Sequence, residues 1–374
     1  MWDRHVGPQV HPRLEAHQPD LAKTLKLRRA PTLVSYWRQG RLLAENYATG
    51  ACAGLTPLGL AILDHAGSWR TADALAHAVN STPGAGFTRV LRALERATLL
   101  ERQGARRAAR PLDAWAPWLP HAGLLHFGTK NQLYLAPRAA ALALRAQSGK
   151  AACPAPTKSY AGRRRVALPA PRDVRMPLDA ALLERRTWRR FSRRTVALAD
   201  IATVLGLTWG VQHRARDDEG NRIVLKTSPS GGATHPIEAY VAAFNISGLP
   251  RGLYHYDALR HALARVRTAR AGFDPLRYLP QQPWYRGAAA LFLMTAVVGR
   301  ELWKYPTARA YRALLIDAGH LTQTCCLVAT AIGLGPFCSM ALDESRIEQD
   351  LGIDGASEIA LYAAGCGTRS PLGT

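Results

Sequence analysis

The pattern of apolar and polar positions changes character several times along the chain. From Pro31, the stretch PTLVSYWRQGRLLAENYATG has two strand-like runs on either side of Gln39-Gly40. Three stretches with apolar residues at helical spacing follow, Pro57 to His65, Thr71 to Val79 and Gly86 to Thr98. A turn pair between two runs predicts a hairpin, and a 3.6-residue period predicts amphipathic helices. A hairpin with three short helices points to a small winged-helix-like domain over residues 30–145. The third helix spends its regular positions on Val90, Leu91, Leu94 and Leu99. That is a core-facing stripe, so peptide docking or scaffolding is expected ahead of DNA binding.

Residues 1–29 are polar and proline-bearing and read as a loosely ordered N-terminal segment. Residues 146–177 are rich in Pro, Ala, Gly and Arg without periodicity and read as a linker. From Leu178 to Thr374 the patterns alternate. Helices are expected through LDAALLERRTW, LADIATVLGLTWGVQ and YRALLIDAGHLTQTCCLVATAIG. Strands are expected at IEAYVAAF, GLYHYDAL, ALARVR, ALFLMTAVV and EIALYAAGCG. Helices mixed with antiparallel-type strands predict an α+β domain.

The 374 residues and the 48% hydrophobic content support two cores. The formal charge of +22 suggests an acidic partner, yet only seven basic residues are lysine and the arginines are dispersed. Neither a clustered basic face nor a reading motif appears, so nucleic acid is not the expected partner. An acidic peptide segment or a phosphorylated cofactor would suit the charge equally. The six cysteines form no CxxC pair, so no metal or disulfide framework is expected. The longest apolar run, Gly287 to Gly299, is too short for a membrane span. The first thirty residues lack the apolar core of a signal peptide, and a cytoplasmic, membrane-free setting is the expectation.

Five blocks carry candidate chemistry. In ERRTWRRFS, Arg185, Arg186, Thr187 and Arg189 crowd a helix end, where guanidinium forks and a hydroxyl suit a phosphate monoester; a solvated helix terminus is the plainer reading. In SPSGGATHPIEAYV, Ser230, Gly231 and Gly232 permit close backbone approach to a flat ligand. Glu238 enters the apolar strand beyond and requires a partner, while His235 reads as a surface histidine. In KYPTARAYRALLIDAGHLTQT, Lys304 and Tyr305 precede a helix whose Asp317, His320 and Gln323 share one face. A desolvated lysine beside a tyrosine suits a general base. In AIGLGPFCSM, Gly333, Gly335 and Pro336 read as a tight turn ending the long helix. Finally, ALYAAGCGTRS ends on Arg369.

In this order and at these separations, PSGGA with a following Pro and IE, then KY, then YR with DAGH and a Gln, then GLG, resembles the nitroreductase fold in its SagB-type branch, which includes azoline dehydrogenases. The resemblance runs from Leu178 to Arg369 and implies a homodimer with FMN at the subunit interface. It implies that Arg185, Arg186, Thr187, Arg189 and Arg369 hold the FMN phosphate. Ser230, Gly231 and Gly232 would line the isoalloxazine, with Gln323 and the Gly333–Gly335 turn on its other side. Lys304 and Tyr305 match the pair tied to dehydrogenation of thiazoline or oxazoline rings in a ribosomally made precursor peptide, beside a cyclodehydratase. Molecular oxygen would then reoxidise the flavin. The alternatives are a general NAD(P)H-dependent nitro or quinone reductase and a flavin-less scaffold of a peptide-modifying complex.

Overall fold

In a computed structural model of the chain, residues 26–105, 113–132, 134–149, 151–268 and 274–371 are described. Four strands come first: β1 (Lys26–Arg29), β2 (Leu33–Arg38), β3 (Arg41–Asn46) and β4 (Ala51–Gly54). Gln39 and Gly40 both take positive φ, 51° and 72°, which is the turn geometry that matches strand twist and closes the β2–β3 hairpin. Pro57 at the first helical turn and the Thr56 hydroxyl, accepting from the Gly59 N–H at 3.1 Å, start α1 (Pro57–His65). Then come β5 (Arg70–Thr71), α2 (Ala72–Ala78), α3 (Ala85–Arg96), β6 (Leu100–Arg102) and α4 (His121–Gly128). Leu91, Leu94 and Leu99 are buried against Leu27, Ile62 and Leu75, so the stripe on α3 is a core face.

The structure departs here from the sequence expectation in one respect. Lys26–Arg29, read as the end of a loose leader, is a strand paired with both β5 and β6; the rest of that segment, residues 1–25, lies outside the described residues. The described residues up to Gln132 form one compact unit and those from Tyr134 onward a second.

The second unit contains α5 (Pro137–Ser148), β7 (Arg165–Ala167), α6 (Leu178–Glu184), β8 (Val196–Ala197), α7 (Leu198–Thr208), β9 (His213–Arg216), β10 (Arg222–Leu225) and β11 (Ile237–Ala243). It continues with β12 (Ile246–Ser247), β13 (Gly252–Asp257), β14 (Ala262–Thr268), β15 (Ala290–Val297), α8 (Val298–Lys304) and α9 (Tyr311–Ala331). The last elements are β16 (Leu334–Ser339), α10 (Glu344–Leu351) and β17 (Glu358–Thr368). Seven strands form one antiparallel sheet in the order β16-β17-β15-β11-β13-β14-β7.

Alternate residues of the central strands feed two separate cores, as the two-residue period requires. Phe292 and Met294 of β15 face the core that contains Leu314, Leu321 and Cys325 of α9. Leu291 and Leu293 face the other, with Tyr278, Phe337 and Ile347. Covering both faces explains why β11 is buried at every position and shows no amphipathic alternation. Each of the larger buried side chains contributes roughly 1.5–3 kcal/mol.

Three expectations are corrected by this sheet. The stretch 146–177, read as a linker, supplies the end of α5 and the edge strand β7, which pairs with β14 over Ala262↔Ala167 to Ala264↔Arg165. The block around Gly335-Pro336, read as a tight turn, is the opposite edge strand β16; an edge is where a residue without an N–H can sit in a sheet. The helix through LDAALLERRTW ends at Glu184, because Arg185 is extended at ψ 120°.

Candidate functional site

The SPSGG loop lies along the first half of α9, and its contacts run down the helix in reverse order. Asp317 is hydrogen-bonded to the Ser230 hydroxyl and the Gly231 backbone. One turn on, His320 Nδ1 donates to the Pro229 carbonyl at 3.3 Å. Beyond that, the Thr324 and Ser228 hydroxyls meet at 2.7 Å. Gln323 is exposed on the same stretch of helix. The shared face predicted for Asp317, His320 and Gln323 is therefore the face that carries the loop, with Asp317 and His320 in contact with it.

On its other side the loop meets α8. Lys304 Nζ donates to the Gly232 carbonyl at 2.8 Å. Gly232 holds φ +61°, and a Cβ built there would lie 2.3 Å from the Tyr305 hydroxyl and 3.0 Å from Lys304 Cδ. The glycine is thus required twice, by backbone angle and by space. Ser230 Oγ accepts from the His235 N–H at 2.9 Å, which closes the loop onto β11.

Two carboxyls belong to this cluster, and Glu301 is one the sequence reading did not single out. It is buried on α8 and accepts from the Thr234 hydroxyl. Burial pushes its carboxyl up, with the neighbouring Asp317 adding to the effect. Asp317 is also raised by burial, against the hydrogen bonds from Ser230 and Gly231. Its Oδ2 is buried without a hydrogen-bond partner among the described residues. Burial likewise raises the Tyr305 phenol, with Glu301 second. Only the i,i+3 spacing of Glu301 from Lys304 could have flagged it in the sequence.

Beneath the loop lies a buried charged layer. Glu238 receives Arg300 Nη2 at 2.7 Å, His255 Nε2 at 2.9 Å and the Lys158 N–H at 2.8 Å. These partners hold its carboxyl well below the usual range against the cost of burial. The partner expected for Glu238 is thus threefold. His235, expected at the surface, is buried, and desolvation followed by the charge of Lys226 pushes its pKa down to about 4. Burial also pushes the Lys226 ammonium down to about 8. Beside them, Lys158 Nζ reaches Glu358 at 2.6 Å and the Tyr240 hydroxyl at 2.8 Å.

The arginine block sits at the far end of α9. Trp188 N–H donates to the Pro336 carbonyl at 2.8 Å. A Cβ on Gly335 would fall 2.7 Å from the Trp188 ring. The charge of Arg185 reaches the thiols of Cys326 on α9 and Cys338 on β16. Arg189 lies 5.7 Å over the Trp284 ring. Among the described residues, neither Arg185 nor Arg189 has an acidic partner, and Trp188 Nε1 is buried without one. Thr187 is half-buried between them, and Gly333 turns the chain at φ +84°. Arg186 folds back onto the Leu183 and Arg185 carbonyls. Arg369 caps the helix through the Leu334 and Thr330 carbonyls at 3.0 and 3.3 Å.

The predicted site residues therefore fall into two clusters on one chain. Asp317 marks the loop end and Thr330 the arginine end, and thirteen residues of α9 separate them by about 20 Å. Leu182 and Leu183 of α6, with Leu315 and Ile316 of α9, are exposed apolar side chains.

A sequence profile of the nitroreductase family matches residues 182–368, half of the chain. The nitroreductase-like protein MJ1384 of Methanocaldococcus jannaschii is 28% identical over 176 residues, 47% of this chain and 84% of that protein. The trifolitoxin-processing protein TfxB of Rhizobium leguminosarum bv. trifolii is 32% identical over 143 residues, which are 37% of this chain and 38% of TfxB. Among solved structures, a nitroreductase-like protein of Anabaena variabilis is 24% identical with a TM-score of 0.47, over 56% of this chain and 42% of that one.

Proposed function

The chain belongs to the nitroreductase family, and from that premise we propose that it is an FMN-dependent dehydrogenase oxidising thiazoline or oxazoline rings to thiazoles or oxazoles in a ribosomally made peptide. The observation that carries this reading is the closure of the SPSGG loop onto Lys304 and Tyr305, which puts a candidate base and a phenol beside a backbone cradle. The similarity to a trifolitoxin-processing protein supports a peptide as the substrate. A homodimer working beside a cyclodehydratase fits that setting.

The donor set suits FMN. Arg185, Thr187 and Arg189 offer unspent hydrogen-bond donors to a phosphate, while Arg186 and Arg369 already hold carbonyls and complete the positive field around it. Ser230, Gly231 and Gly232 would face the ring system with Gln323 near them on α9, and Gly333 and Gly335 would contribute from the arginine end. The separation of about 20 Å between the two clusters supports a dimer in which each site draws on both copies. The exposed leucines and isoleucine of α6 and α9 offer apolar area for that contact. Bound FMN supplies the acceptor for the hydride that leaves the ring, with molecular oxygen as the final acceptor.

The protein's own part is the proton. Lys304 Nζ takes it from the ring carbon next to the peptide carbonyl, and the Gly232 carbonyl holds that nitrogen in place before and after the transfer. The raised pKa of Tyr305 keeps its phenol a hydrogen-bond donor that orients the ring. The decisive test is the visible spectrum of the purified protein, with the released chromophore identified by mass and an azoline peptide assayed on wild type and Lys304→Ala. A colourless protein that refuses added FMN overturns the reading. Rapid bleaching of the flavin by NADPH, with no azoline turnover, assigns a general reductase instead.

A further inference from the structure

A cavity is made by parts of the chain that the reading above leaves without a role. It measures about 1040 Å³ and runs between the strap Ala152–Thr157 and the β9–β10 hairpin. The hairpin pairs Arg222 with Arg216 and Val224 with Arg214. Cross-strand partners and residues two apart share a face. One face of this small sheet thus presents Arg214, Arg216 and Arg222, all lining the cavity.

Two guanidiniums directly opposite each other repel and cost stability. The connecting turn carries Asp217, Asp218 and Glu219, but none of them lines the cavity. Arg214 donates to the Leu259 carbonyl at 3.3 Å and Arg216 to the Gly220 carbonyl at 2.6 Å, both neutral acceptors. None of the three is in an ion pair among the described residues. In the turn, Asp217 accepts from the Glu219 and Asn221 N–H groups and the Asn221 amide, which turns its carboxylate into the loop. Arg260, at the rim, is neutralised by Asp257 at 2.9 Å.

The strap is fastened to the helix that ends in Lys304. Trp303 Nε1 donates to the Ala151 carbonyl at 3.1 Å, and Arg300 Nε to the Ala155 carbonyl at 2.8 Å. Cys153 in the strap feels the charges of both Asp217 on the hairpin side and Lys304. The strap that walls the cavity is thus held by the same helix that carries Lys304.

We propose that this cavity docks an acidic segment of the peptide substrate, with its carboxylates on Arg214, Arg216 and Arg222. Its role as a substrate track rests on the peptide-dehydrogenase reading. Arg214 and Arg216 stand about 7 Å apart along the strand, the spacing of alternate residues in an extended peptide, so acidic residues at alternate positions fit best. The rest of the lining mixes small apolar residues, Ala155, Pro156, Ile223 and Leu259 among them, with Thr157, Ser159 and Asn221, and includes no aromatic ring. Without a stacking platform it is poorly suited to nucleobases.

The test is fluorescence anisotropy on the full-length protein loaded with FMN. The probes are a labelled eight-residue peptide alternating glutamate and glycine, its glutamine counterpart, and a single-stranded RNA octamer. The expected result is at least tenfold weaker binding of the glutamine peptide to wild type, and of the glutamate peptide to R216E/R222E. R138E/R175E, which reverses two exposed arginines outside the cavity, should bind the glutamate peptide as wild type does. Unchanged glutamate-peptide affinity in R216E/R222E overturns the proposal, and so does a preference for RNA that the same variant abolishes. An azoline peptide with an alternating acidic tail separates the two readings. A KM raised at least tenfold in R216E/R222E at constant kcat supports the track. An unchanged KM with normal turnover sinks the track alone, whereas acidic-peptide binding without any azoline turnover sinks the dehydrogenase reading.

Discussion

Lys304 Nζ and the carbonyl of Gly232 are joined by a 2.8 Å hydrogen bond, and the Tyr305 hydroxyl occupies the space a side chain on Gly232 would need. Loop and helix are locked at this point by a residue with no side chain. Gly232→Ala must therefore move Tyr305 or abandon φ +61°. The expected cost is about 1–3 kcal/mol, read as a lowered thermal midpoint, with azoline turnover reduced at least tenfold. A variant with wild-type stability and turnover would show that the packing at this residue is dispensable.

Lys304→Ala removes the proposed base while leaving the arginine block intact. Turnover of an azoline peptide should fall by roughly 10²–10⁴, while FMN content per chain stays unchanged. Loss of flavin together with activity would make Lys304 a cofactor ligand instead.

Arg185→Ala and Arg189→Ala each remove charge-assisted donors from the proposed phosphate site. Each should weaken FMN binding by about tenfold to a hundredfold, corresponding to roughly 1.5–3 kcal/mol per contact. Fluorescence titration of the apoprotein with FMN measures this. Riboflavin, which lacks the phosphate, should bind wild type and variants alike.

The Glu238–Arg300 pair is buried at 2.7 Å. Arg300→Met leaves the Glu238 carboxylate desolvated with His255 and one backbone N–H. A loss of about 3–5 kcal/mol in denaturant unfolding is expected, the range for breaking one partner of a buried ion pair.

His235 gives a pH signature. Burial, then Lys226, lowers its pKa from 6.5 to about 4 in the folded chain. The unfolded chain then binds more protons between those values, so this residue's contribution is complete above pH 6.5 and is lost as pH falls towards 4. The full loss is on the order of 3 kcal/mol. Unfolding free energies at pH 7.5 and pH 4.5 should converge in His235→Asn relative to wild type; a parallel fall in both would sink the assignment.

Local signals carried much of the fold into the sequence. Helix α1 was legible to its ends because Thr56, Pro57 and the apolar period agree, and α9 because its period is sustained over more than five turns. The central strands showed as apolar runs. What could not be read depended on distant partners. β7 is three residues long, and its pairing with β14 lies almost a hundred residues away, so Arg165–Ala167 offers no period of its own. The β9–β10 hairpin, with arginine at three of its eight positions, lacks the apolar alternation that marks a strand. His235 looked superficial because Lys226 and Arg300, which bury it, come from elements before and after its own. In the candidate site, glycines and the Lys-Tyr pair were visible as motifs. Glu301 was not, since its significance lies in facing Thr234 and Asp317 across the fold.

The ammonium of Lys158, in a stretch that looks like connecting chain, answers the buried carboxylate of Glu358, and its backbone N–H answers that of Glu238. A fragment starting at Leu178 would keep nearly everything that aligns with relatives and discard both counterparts together with an edge strand. Glu358 would then retain only the Tyr240 and Thr295 hydroxyls, a deficit of several kcal/mol for an uncompensated buried charge. The half of this chain that matches the family profile thus leans on residues that precede it. A fragment reaching back to Ala151 would keep Lys158, the edge strand and the Ala151 carbonyl that holds Trp303.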